Sequence, residues 1–60
     1  MKLKLKDSTE TVNIDPKMLT DWGPMDGGTY LLHLEEGEPG TALYVVEGEP
    51  NDVVGRLFPD

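Results

Sequence analysis

Cysteine is absent from the chain. That excludes disulfide staples and thiolate metal sites, and it fits a reducing, cytoplasmic setting. Basic residues are scarce: five lysines and arginines stand against twelve acids, giving a formal charge of −7. A surface of that sign repels phosphate backbones, which argues against direct nucleic-acid binding, and it steers basic partners instead. No apolar run approaches the ~20 residues that cross a bilayer, so no membrane partner is expected. Met1–Lys6 is charged but lacks the apolar stretch that follows in a secretory signal. Sixty residues make one domain, 1–60, close to the lower limit for folding alone. Ordering costs about 1.5 kcal/mol per residue and nearly cancels the burial term in so small a core. Without disulfides or a metal, self-association is one remaining source of help.

What is present is alternation. Lys2-Leu3-Lys4-Leu5-Lys6 places Leu3 and Leu5 on one side of a strand and three lysines on the other. Asp7-Ser8-Thr9-Glu10 is a turn-forming cluster, and Thr11-Val12-Asn13-Ile14 alternates again. Together they read as a β-hairpin, stopped by Asp15-Pro16. Pro16–Leu19 suits one helical turn with Asp15 as its cap. Thr20–Gly28, with its glycines and Pro24, reads as a loop bearing an unusual apolar load: Trp22 and Met25, preceded by Met18 and Leu19.

Thr29–Leu34 and Thr41–Val46 are the strongest strands. They are apolar on both faces, which implies a central hairpin covered on both sides. Pro39-Gly40 suits the middle of a type II turn between them. Beyond Glu47-Gly48-Glu49-Pro50, the residues Val53, Val54, Leu57 and Phe58 fall at helical spacing, with Asn51 or Asp52 as cap. The expected fold is α+β, mainly β: a four- or five-stranded antiparallel meander or small open barrel with one short C-terminal helix. Glu-Gly-Glu-Pro occurs at 36–39 and again at 47–50; each copy ends a strand, so it reads as reused turn chemistry.

Nothing in the spacing of reactive residues points to catalysis. His33 is the only histidine, and no base, nucleophile and orienting group recur in a motif. Calcium loops need oxygen ligands at fixed alternating spacing, which Asp21, Asp26, Glu35, Glu36 and Glu38 do not have. No glycine pattern cradles a phosphate. The expectation is a non-enzyme with no cofactor and no metal. Trp22 and Met25 are the best candidate contact residues, since Trp and Met are enriched at interface cores; against this, a domain so small rarely spares its only Trp, which favours a core lid. The acidic turn Glu35, Glu36 and Glu38 suits a partner with a basic surface, or else simply keeps the domain soluble.

Met1–Asp7, Val12-Asn13-Ile14-Asp15-Pro16, Gly28–Leu34, Tyr44–Glu47 and Asp52-Val53-Val54 together resemble the small flagellar and swarming-motility proteins of the FlbD type. They are also similar to small phage and bacterial β-meander proteins. The likeness is one of strand and turn pattern. The link at Asp21–Gly28 is longer than in that family, and Gly55 interrupts a helix that is usually longer. The resemblance implies a small adaptor or regulatory module. The functional expectation is therefore a protein–protein interaction module, accessory or inhibitory. An acidic nucleic-acid mimic and a structural homo-oligomer remain as alternatives.

Overall fold

The computed structural model describes residues 1–59. β1 (Lys2–Lys4) and β2 (Thr11–Asn13) pair antiparallel with Leu3 opposite Val12, as their alternation requires. The turn between them is built as its residues suggest: Asp7 takes a left-handed φ of 58°, and the Ser8 hydroxyl accepts from the Glu10 N–H at 3.0 Å. A single 3-10 turn follows at Pro16–Met18, capped by the Asp15 carboxylate accepting from the Lys17 N–H at 3.0 Å.

The chain next departs from its expected loop. Leu19–Met25 is a strand, β3, paired antiparallel with β4 (Gly28–Leu34). Two features of the sequence disguise it. Gly23 lacks a side chain because the ring of Tyr30 lies where one would go: a Cβ there would meet Tyr30 Cε2 at 2.7 Å. Pro24 is tolerated because β3 is an edge strand, whose outward positions need no N–H. Asp26 and Gly27, both at positive φ, make the two-residue turn that joins β3 to β4.

β5 (Thr41–Val46) pairs with the other side of β4, giving the order β3-β4-β5. The six-residue link before it is not a tight turn; it is closed by the Glu35 N–H donating to Gly40 O at 2.9 Å, with Gly37 and Gly40 at positive φ. A bridge between Leu5 and Val46 ties the two-stranded sheet to the three-stranded one without closing a barrel. α1 (Pro50–Leu57) starts earlier than its apolar spacing suggests. Pro50 opens it, and neither Asn51 nor Asp52 caps it; the cap position is Glu49, whose side chain makes no capping bond. Asp52 lies in the first turn and Arg56 in the last, each where the helix dipole favours its charge.

One face of the three-stranded sheet holds the core. Leu3, Ile14, Leu31, Val46, Val53 and Leu57 are buried together, with Leu5, Val12, Leu19 and Tyr44 packed around them. β1, β2 and α1 all sit on this inner face. The short dimension of the molecule is 18 Å, enough for two layers about 10 Å apart and not for three. The central hairpin is therefore shielded once. Among the described residues, the expected second cover over Tyr30–Leu34 and Ala42–Val46 is not there.

Candidate protein-docking surface

Strand alternation sorts the sheet's side chains. On β4, Thr29, Leu31 and His33 point inward and are buried, while Tyr30, Leu32 and Leu34 take the opposite face. The register carries that face across the sheet: Val45 lies opposite Tyr30, Leu43 opposite Leu32, and Thr41 opposite Leu34. On β3, Asp21 and Met25 share it. Leu43 is 54% exposed and Leu34 43%, with Tyr30, Leu32 and Val45 half-buried beside them. A row of this kind on a bare sheet face is an apolar patch of the sort that marks interaction surfaces. At its β3 margin the Tyr30 hydroxyl donates to Asp21 Oδ2 at 3.1 Å, which raises the phenol's pKa.

The residues singled out from sequence do not form one site. Trp22 is 40% exposed but belongs to the inner side, where its ring is tilted against Phe58 at 5.6 Å between centroids. It is a half-covered lid at the end of α1. Met25, 37% exposed, stands on the outer face beside the β3–β4 turn. Glu35, Glu36 and Glu38 lie at the opposite end of β4, all exposed. Seven residues of strand, about 20 Å, separate Met25 from them. Leu34 and Leu43, the most open leucines, were missed by sequence reasoning. Their signal was present in the two-sided apolar strands, which one short helix and a small hairpin cannot cover twice.

Glu35 is held in place. The Tyr44 hydroxyl donates to Glu35 Oε1 at 2.6 Å, and this bond raises the pKa of Tyr44. Glu35 Oε2 lies 3.8 Å from His33 Nδ1. The other nitrogen of His33 is engaged: Nε2 accepts from the Asp15 N–H at 3.2 Å. That assigns the hydrogen to Nδ1, which is buried and has no hydrogen-bond partner, pointing towards Glu35. The lone pair a general base would use is thus spent on the backbone. His33 acts as a tie between β4 and the start of the 3-10 turn.

Open clefts flank the sheet. One of about 560 Å³ is lined by Met18, His33, Leu34, Glu35 and Glu36. Another, about 540 Å³, runs between the β3–β4 turn and the start of α1, with Asp26 and Glu49 on its walls. Among the described residues no three acids or histidines gather as metal ligands, and no helix is long and apolar enough to cross a membrane. No protein-family model matches the chain, and no curated protein or solved structure does either.

Proposed function

We propose that this chain is a non-enzymatic protein-interaction module, accessory or inhibitory, that docks a partner protein on the outer face of β3-β4-β5. The observation that carries the reading is the uncovered row Tyr30, Leu32, Leu34, Leu43 and Val45, with Leu43 more than half exposed. A small domain whose net stability is a few kcal/mol gains nothing from leucines in water. Their presence on one face is better explained by a second molecule that covers them. The acids Asp21, Glu36 and Glu38 around that row favour a partner with a basic rim. An adaptor role is also what the FlbD-type resemblance implies, and the absence of cysteine suits a cytoplasmic site of action.

The contact surface is thereby moved from Trp22 to the outer leucines, with Met25 and the Glu35–Glu38 turn kept at its two ends. Self-association is the second reading, favoured by the same bare face. Nucleic-acid mimicry is less well supported, because the acids stand at opposite ends of the sheet and not in a continuous band.

The test compares three immobilised baits: the native chain, Trp22→Ala, and the double variant Leu34→Ser/Leu43→Ser. Partner capture should survive Trp22→Ala and disappear in the double variant, with unchanged circular dichroism in all three. Equal capture by the double variant would remove the outer face from consideration.

A further inference from the structure

The two margins of the three-stranded sheet are finished differently. On β3 a bulge interrupts the ladder between Leu19 and Asp21. The Trp22 N–H donates to Asp21 Oδ1 at 2.9 Å, so it is not offered outward. Two residues on, in the same edge-facing phase, Pro24 has no N–H at all. That edge is closed to further pairing.

Nothing comparable closes β5. Val45 O accepts from the Lys6 N–H, and the Glu47 N–H donates to Lys4 O, both at 2.9 Å. These residues therefore aim their backbone groups away from β4, and strand alternation extends the same orientation to Leu43 and Thr41. The segment Lys4–Lys6 reaches only to Val45, and among the described residues no strand lies beside Thr41 and Leu43. Neither is charged and neither is proline. Leu43 is also the most exposed of the large apolar residues. An open edge and an apolar face meet in the same side of one strand.

We propose that β5 is the acceptor for strand addition: an extended segment of a partner protein, alternating apolar and basic residues, pairs with Thr41–Leu43. This rests on the docking reading above and adds the ligand's conformation and chemistry. Main-chain hydrogen bonds to Thr41 and Leu43 supply the pairing, and alternate side chains lie against the outer face at Leu43, with Leu32 beyond. The basic character follows from charge. Glu36 and Glu38 stand in the loop that leads into β5, and no lysine or arginine occurs between Lys17 and Arg56. The chain carries its own precedent for such a ligand. Its Lys-Leu-Lys-Leu-Lys segment already occupies the other half of this edge, with Lys4 Nζ on Glu47 Oε2 at 2.8 Å. A second copy fits less well, since two bodies of charge −7 repel and the Lys4–Lys6 segment blocks a long two-fold ladder.

Amide exchange in the ¹⁵N-labelled chain, with a lysine–valine alternating hexapeptide at millimolar concentration, tests the proposal. Thr41 and Leu43 amides should exchange at least about fivefold more slowly with this peptide, while β3 amides stay unchanged. A glutamate–valine hexapeptide should protect neither. Leu43→Ala should keep the protection of Thr41, and Leu43→Pro, which deletes the edge donor, should lose it. If Leu43→Pro does not fold, a methyl group on the Leu43 nitrogen, introduced by chemical synthesis, makes the same cut with the side chain retained. Equal protection by both peptides, or by neither, overturns the proposal. Perturbed Leu32 and Leu34 methyls with freely exchanging Thr41 and Leu43 amides would overturn strand addition while leaving face docking intact. A dimer seen by sedimentation without peptide, with those amides already protected, would assign the edge to a second copy and overturn the basic-segment ligand.

Discussion

Tyr44 reports on a contact that no sequence pattern announces. It sits diagonally from His33 on the inner face, their rings edge-to-face at 6.2 Å, and its hydroxyl reaches past the strand end to Glu35. A phenol that donates to a carboxylate holds its proton more tightly in the fold than in the unfolded chain, so its pKa is raised. The linkage follows in sign. The stabilisation is complete below the unfolded phenol value near about 10 and is lost as pH rises through the higher folded one. Tyr30 and Lys6 are shifted in the same direction, by Asp21 and Asp7 respectively. The fold should therefore weaken at the alkaline end, with its urea midpoint falling steadily above pH ~10. Tyr44→Phe removes one contributor, so it should lower the midpoint near neutrality, where the bond is fully formed, and flatten the fall above pH ~10. Absorbance at 295 nm checks the cause, since tyrosinate formation in the native chain should lag behind that of a denatured control. Identical alkaline profiles for the two proteins would mean that the Tyr44–Glu35 bond has no energetic weight.

Among the elements, α1 is the one most visibly below its best. Gly55 stands mid-helix, exposed, without a positive φ and with open space where a Cβ would go. Gly55→Ala should stabilise the fold by about 0.5–1 kcal/mol, a rise of a few degrees in Tm by calorimetry. A fall would show that the helix needs glycine there for a reason its neighbours do not reveal. α1 itself was legible, because Val53, Val54, Leu57 and Phe58 repeat at helical spacing, although its start at Pro50 and its cap position at Glu49 were not. β1, β2 and the Asp15 cap were legible for the same local reason: period-two alternation broken by turn residues. β3 was not. Its defining features, Gly23 under the Tyr30 ring and Pro24 on an open margin, are set by a neighbouring strand and by position in the sheet, and local propensity reads them as breaks. The Asp26-Gly27 pair was the one available hint, since Asp-Gly between apolar segments is a strong hairpin signal. The proposed contact surface failed to emerge for a related reason. Two-sided apolar strands looked like a doubly covered centre, and only a count of the covering elements separates that from a bare face.

The whole molecule is therefore a two-layer sandwich with one wet apolar side, and its stability should divide along that line. Domains of this length hold roughly 0.05–0.15 kcal/mol per residue, so about 3–9 kcal/mol separates folded from unfolded chain. Leu31, fully buried on the inner face of the central strand, touches both the sheet core and its cover. Leu31→Ala should cost about 2–5 kcal/mol, a large share of that total. Leu43, on the other side of the next strand and mostly in solvent, should cost within about 0.5 kcal/mol when cut to alanine. Urea titration followed by tryptophan fluorescence measures both, because Trp22 rests on the inner-side Phe58 and loses that neighbour on unfolding. The contrast matters more than either value. If Leu43→Ala destabilised the isolated chain as much as Leu31→Ala, something in the chain itself would be covering the outer face, and the case for an external partner would fail. If only Leu31→Ala does so, Leu43 contributes little to folding, as the proposed contact with another molecule requires.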